Sequence, residues 1–216
     1  MAGNNPDQGG MIGIVDYGSG NLLSVTNALA MIGADAQLCS TPEQLHEAER
    51  IILPGVGAFG NCADNLRSRG FEQALDELVI RQRRPILGIC VGMQLMARKS
   101  LEGGEQAGLG WLDAEVVRLA PQPERLRVPQ IGWNNIEFRA DCPLFTGLPQ
   151  STDVYFVHSY GMRCRDETDV GAWCDYGGRV TAAVWRDNIV GTQFHPEKSQ
   201  DFGLRVLENF VRWMPR

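Results

Sequence analysis

The stretch Gly88-Ile89-Cys90-Val91-Gly92 offers a nucleophile. An apolar run beginning at Pro85 ends in Gly-x-Cys-x-Gly, and a helix-compatible run follows through Met96. This is the cysteine form of the nucleophile elbow, a sharp strand-to-helix turn. Glycine at 88 and 92 lets strand and helix pack closely, where side chains would clash. The turn holds Cys90 in a strained conformation with its sulfur clear of the backbone. At a helix N-terminus, exposed N–H groups and the helix dipole favour the thiolate, the form that attacks. Read alone, Cys90 is also a small buried hydrophobe.

A base and its orienting group stand far away in the chain, within Asn188-Ile189-Val190-Gly191-Thr192-Gln193-Phe194-His195-Pro196-Glu197-Lys198-Ser199. His195 and Glu197 are two residues apart in an extended segment, because Pro196 fixes its own φ and pushes His195 away from helix. A nucleophilic cysteine needs a base, and the base needs a group to orient it. Cys90, His195 and Glu197 together supply the three roles. Separately, His195 also reads as a structural histidine and Glu197 as a solvated charge. His158 is a rival base, but no carboxylate follows it as Glu197 follows His195.

These two stretches resemble the class I (triad) glutamine amidotransferases. Four more narrow the likeness: Asp16-Tyr17-Gly18-Ser19-Gly20-Asn21, Pro54 to Gly60, Ile131-Gly132-Trp133-Asn134 and Tyr155 to Tyr160. From about Met11 to Trp213 the chain is similar to the glutaminase-subunit family of imidazole glycerol phosphate synthases. The resemblance implies a flavodoxin-like class I fold and hydrolysis of glutamine without metal or cofactor. It implies that Gly55, Val56 and Gly57, with Val91, form the oxyanion site. It implies that Gln94, Glu102, Ser159 and Tyr160 hold the substrate. It also implies a heterodimer with a (β/α)8-barrel cyclase that receives the ammonia, with Asn21, Trp133 and Lys198 on the contact surface. Relatives usually carry His where this chain has Gln130, which leaves that residue's interface role open. Three other readings remain: a paralogue feeding a surface-sugar amidotransferase, a stand-alone Cys-His hydrolase, and a non-catalytic binding subunit.

Composition bounds these readings. Hydrophobic residues make up 44% and charged residues 21%, as in a globular α/β domain. The net charge is −6, and no basic cluster exceeds Arg81-Gln82-Arg83-Arg84, which argues against nucleic acid. Six scattered cysteines without CxxC spacing argue against zinc or a disulfide scaffold and fit a reducing cytoplasm. No apolar run approaches membrane-spanning length, and the N-terminus lacks the pattern of a signal peptide.

The elements that must position the candidate residues follow in order. Residues 1–10 read as a disordered leader and 11–216 as one domain. Met11 to Val15 is a buried strand, Leu22 to Ile32 a helix, Ala36 to Leu38 a strand. Gly18-Ser19-Gly20 supplies only part of GxGxxG, because position 23 is leucine. Thr41-Pro42-Glu43-Gln44 starts a helix with a capping box. Arg50 to Leu53 is a strand, Phe71 to Gln82 a helix burying Leu75, Leu78 and Val79. Glu115 to Leu119 and Val154 to Val157 are strands, and Gly132 begins another element. Val180 to Val184 and Ile189 to Phe194 pair as a hairpin. Ser199 caps a last helix with Leu204, Leu207, Val211 and Met214 inward. This order predicts a three-layer α/β fold with a mainly parallel sheet and an antiparallel segment.

Overall fold

The computed structural model describes residues 10–122 and 126–215, so the expected leader lies, Gly10 apart, outside the described residues. The first half of the chain alternates strand and helix. β1 (Ile12–Val15), α1 (Leu22–Met31), β2 (Ala36–Cys39), α2 (Pro42–Leu45), β3 (Arg50–Gly55), α3 (Phe59–Ser68), α4 (Phe71–Leu75), β4 (Ile86–Cys90) and α5 (Val91–Gln94) follow one another. Strands then dominate: β5 (Ala97–Ser100), β6 (Gln106–Ala107), β7 (Leu112–Arg118), β8 (Gln130–Phe138), β9 (Thr152–His158), β10 (Tyr160–Cys164), β11 (Val170–Asp175), β12 (Arg179–Arg186) and β13 (Ile189–Thr192). α6 (Gln200–Arg212) closes the fold.

Nine strands form one sheet in the order β2-β1-β3-β4-β13-β12-β11-β8-β9. From β2 to β13 the neighbours are parallel, and from β13 to β9 antiparallel. Side-chain patterns explain the division. β1, β3, β4 and β13 are buried at every residue, as strands covered on both faces must be. β8 and β9 alternate buried and accessible residues, as strands with one open face do. α1 packs on α6, and α4 packs on α2 and α3, so the helices fall into two groups around the sheet.

A second sheet, β10-β7-β5-β6, was not expected. It exists because the elbow helix stops at Gln94. The Leu95, Met96, Ala97 and Arg98 carbonyls are taken by the amides of Leu109, Leu112, Gly110 and Gly108 instead of a helical ladder. At Gly108 a Cβ would strike the Ala97 carbonyl, so only glycine lets these segments meet.

Two further expectations need correction. The expected helix from Phe71 to Gln82 is α4 followed by a wider π-helical stretch, Asp76–Arg81, though Leu75, Leu78 and Val79 are buried as expected. Met214 is not core: it lies beyond α6 and is 77% exposed. Arg50 draws the chain end away from the helix, donating to the Trp213 carbonyl at 2.5 Å and meeting Met214 Sδ at 3.2 Å.

Candidate active site

Cys90 is the last residue of β4, paired with Gly55 of β3. Its φ of 55° and ψ of −111° are unusual for a residue with a side chain. Such a conformation costs on the order of 1–3 kcal/mol and persists only where the surroundings enforce it. The two glycines enforce it differently. A Cβ on Gly88 would come within 2.7 Å of the Met93 backbone, which is the expected strand–helix contact. A Cβ on Gly92 would instead strike the Leu53 carbonyl of the neighbouring strand. The helix that follows has only four residues. The expected dipole contribution therefore shrinks to the N–H groups of one turn.

His195 leaves the sheet beyond β13. Phe194, fully buried, anchors the exit, and the His195 amide donates to the Tyr155 carbonyl at 3.0 Å. Pro196–Lys198 is a single 3-10 turn that brings Glu197 back under the ring. His195 Nδ1 lies 2.7 Å from Glu197 Oε1, with both side chains almost wholly shielded. Burial pulls the imidazole pKa down, but Cys90 and Glu197 outweigh it and raise it to about 9. The influence of Cys90 comes without a full hydrogen bond, since His195 Nε2 has no partner. Ser199 does not cap α6 with its side chain. Its hydroxyl donates to the His195 carbonyl at 2.7 Å and accepts from the Tyr155 amide at 3.1 Å, tying the turn to β9.

Cys90 and His195 line one cavity of about 320 Å³. Gln94, Glu102, Ser159, Tyr160, Val56, Gly57 and Val91 line it too, while Gly55 lies buried outside the lining. A larger cleft of about 390 Å³ carries Arg118, Arg163 and Trp173, but neither Cys90 nor a histidine. The cavity residues are less free than the sequence suggests. Glu102 Oε2 accepts from the Phe59 amide at 2.8 Å and so serves the start of α3. Gln94 spends its amide nitrogen on the Tyr160 carbonyl and on Gln193 Oε1, each at 2.9 Å. Behind the Pro54–Gly57 loop, the Tyr17 hydroxyl donates to the Pro54 carbonyl at 2.8 Å and the Cys62 thiol to the Val56 carbonyl at 3.4 Å. Tyr17, Cys62, Gln193 and Ser199 were not expected here. Gln193 and Ser199 at least flank His195 within the same stretch.

His158 lines the cavity but is fully engaged. Nδ1 lies 2.8 Å from the Tyr160 carbonyl, and Nε2 lies 3.0 Å from the Gln130 side chain. Burial lowers its pKa to about 4. Gln130 Oε1 stands opposite Nε2, but a neutral ring that donates from Nδ1 must accept at Nε2, so the amide is assigned the flipped way, with its NH2 towards the ring. Gln130 is 2% exposed. Its side chain therefore belongs to this interior pair and not to an exposed contact surface.

The residues expected at a contact surface lie apart from the cavity lining. Trp133 is 48% exposed and meets Tyr155 edge-on, with ring centres 6.0 Å apart. Lys198 Nζ stands 5.8 Å from the centre of the same Tyr155 ring. Ile131 and Val157, paired across β8 and β9, extend this exposed face, and Val157 reaches the cavity. Asn21 stands at the start of α1, which packs on the Pro196–Lys198 turn.

The sequence matches the family profile of class I glutamine amidotransferases over residues 13–213. The chain belongs to that family. Among curated relatives, subunit HisH of imidazole glycerol phosphate synthase from Mesorhizobium japonicum is 48% identical over 94% of this chain and 99% of its own. The Agrobacterium fabrum HisH subunit is 47% identical with the same coverage. Solved structures share the fold. A glutamine amidotransferase crystal structure gives a TM-score of 0.72 at 24% identity, covering 93% of this chain and 99% of that one. PurLQS from Thermotoga maritima gives 0.72 at 19%, covering 93% and 97%. In a class I amidotransferase, the enclosed Cys90–His195–Glu197 cluster is where glutamine hydrolysis is to be sought.

Proposed function

We infer that this chain is the glutaminase subunit of imidazole glycerol phosphate synthase. It hydrolyses glutamine and passes the ammonia to a cyclase subunit, which forms imidazole glycerol phosphate and AICAR in histidine biosynthesis. The observation that carries the chemistry is the shared cavity of Cys90 and His195, with Glu197 at 2.7 Å behind the imidazole. With its pKa raised to about 9, His195 already holds a proton at neutral pH. The Cys90 sulfur attacks the side-chain amide carbon, and the carbonyl electrons move onto oxygen. The Val91 N–H and a Val56 N–H turned inward bind that oxyanion. Collapse breaks the C–N bond, and the His195 proton leaves with the ammonia. His195 then takes a proton from water, whose oxygen attacks the thioester and releases glutamate. Glu197 holds the imidazole by Nδ1 throughout.

The partner we propose is a (β/α)8-barrel cyclase in a heterodimer, docked on the face of Ile131, Trp133, Tyr155 and Lys198 beside the cavity. A cytoplasmic setting agrees with six cysteines that all stay free. Among the described residues no helix is long and apolar enough to cross a membrane. The Gly55–Val56 peptide gives partner control a place to act. Tyr17 and Cys62 pin the carbonyls on either side of it, leaving that one peptide to turn. The test is glutamate release by the complex and by its Cys90→Ala variant. The variant should lose glutamine hydrolysis, bind the cyclase and still make product when ammonium salts replace glutamine. Glutamate release at the wild-type rate would remove Cys90 from the mechanism.

A further inference from the structure

Among the described residues, one side chain donates a hydrogen bond to the Cys90 sulfur: Gln193 Nε2, at 3.7 Å. Gln193 is fully buried just beyond β13, two residues before His195. Its orientation is forced by a chain of bonds that starts at a backbone atom. The Tyr160 carbonyl can only accept, so the Gln94 amide must turn its nitrogen to it, at 2.9 Å. The second hydrogen of that NH2 group reaches Gln193 Oε1, also at 2.9 Å. Gln193 therefore presents oxygen to Gln94 and nitrogen to the sulfur. An N–H donor aimed at sulfur favours the thiolate, because hydrogen bonds to a charged acceptor are stronger than those to a neutral one.

We propose that Gln193 is a catalytic residue of the glutaminase site: its amide N–H stabilises the Cys90 thiolate, and Gln94 is the positioning residue that aims it. This rests on the reading of Cys90 as the nucleophile. It also gives Gln94 a task other than holding substrate through its nitrogen. When the sulfur becomes a thioester it loses its charge, and the Gln193 bond weakens. When the thioester is hydrolysed the bond strengthens again, which favours expulsion of sulfur from the second tetrahedral intermediate. The titratable groups around the sulfur are Tyr17 and Cys62 on one side, and Glu102, His158, Tyr160 and His195 in the cavity, with Glu197 behind His195. All seven are unchanged in the variants below.

The test is the pH dependence of Cys90 alkylation by iodoacetamide in the full-length chain, with modification assigned to Cys90 by mass spectrometry. Replacing Gln193 by Met keeps the volume and removes the donor. Gln193→Met should move the midpoint of the profile up by about one pH unit, with about tenfold slower alkylation on the acid side. The plateau at high pH should hold, since a fully formed thiolate no longer needs the donor. Gln193→Glu, which offers an anionic oxygen, should shift the midpoint further. Gln94→Met, which frees the Gln193 amide to rotate, should shift it in the same direction by less. In the complex with cyclase, kcat at neutral pH should fall about tenfold in Gln193→Met with KM nearly constant. A folded Gln193→Met protein with an unmoved midpoint would overturn the proposal. If that variant does not fold, an unmoved midpoint in Gln94→Met overturns it instead. Turnover by Cys90→Ala would sink the nucleophile reading beneath it. An inactive Cys90→Ala beside an unshifted Gln193→Met sinks the role of Gln193 alone.

Discussion

His195 and His158 line the same cavity and are 2% and 7% exposed, yet they hold protons in opposite ways. Each uses Nδ1 to bond to the residue two positions on. For His158 that residue is Tyr160, which offers a backbone carbonyl at 2.8 Å. For His195 it is Glu197, which offers a carboxylate at 2.7 Å. Burial acts downward on both rings. The carbonyl is too weak to oppose it and the charge of His195 adds to it, so His158 falls to about 4. Cys90 and, after it, Glu197 oppose it successfully, so His195 rises to about 9. Burial alone does not assign a buried histidine its role. The charged groups beside it do: His195 has Cys90 on one side and Glu197 at i+2 on the other, and His158 has neither.

The sharpest way to break this comparison is to delete each ring in the complex with cyclase and measure glutamate release. His195→Ala should lower kcat by about 10²–10⁴, the usual worth of a positioned acid–base group. His158→Gln should lower it far less, because a neutral imidazole held on both nitrogens moves no proton. Equal losses would mean that His158 shares the proton transfer.

A smaller effect separates the base from its orienting group. Glu197→Gln should cost about ten- to a hundredfold less rate than His195→Ala, as in other triads where the orienting acid is removed alone. The basic limb of the pH–rate profile should also fall from about 9 towards 6.5, the ordinary imidazole value. A Glu197→Gln enzyme as dead as His195→Ala, or an unmoved limb, would show that Glu197 does something besides orient.

The smallest effect is on stability, and its sign differs between the two rings. His195, raised to about 9 from 6.5, stabilises the fold fully below pH 6.5, and the contribution disappears as pH rises through 9. His158, lowered to about 4 from 6.5, works the other way. Its neutral form costs nothing above pH 6.5, and stability drains away as pH falls from there to 4, because only the unfolded chain takes up the proton. Each contribution is on the order of 3 kcal/mol. Urea unfolding midpoints should therefore drop at both ends of the pH range. His158→Gln should flatten the acid drop and leave the alkaline one, and a variant that flattens neither would place the pH dependence elsewhere.

Much of this site could be read from short runs of residues. The elbow glycines, the Pro-fixed spacing of His195 and Glu197, and the β12–β13 hairpin are local features governed by sterics and turn geometry. The buried strands β1, β3, β4 and β13 announce themselves as apolar runs for a similar reason. Glu102 shows where this ends. Its carboxylate serves the Phe59 amide, forty-three positions away, and nothing near Glu102 in the chain hints at it. The second sheet was illegible for the same reason: the acceptors that stop the elbow helix at Gln94 are claimed by residues 108–112, after the chain has turned back.

The chain order of residues settles which groups can do chemistry here: one cysteine in a glycine elbow, one histidine with a carboxylate at i+2, and a strand pattern that brings their segments to neighbouring positions in one sheet. Those outcomes rest on φ/ψ limits and on burial of apolar runs, which act over a few residues. The protonation of the two histidines, the orientation of Gln193 and the pinning of the Pro54–Gly57 loop belong to the folded state. Each depends on burial and on acceptors within hydrogen-bond reach, several of them brought in from distant parts of the chain, such as Cys90 beside His195 and Gln193, Gln130 on His158, and Tyr17 on Pro54.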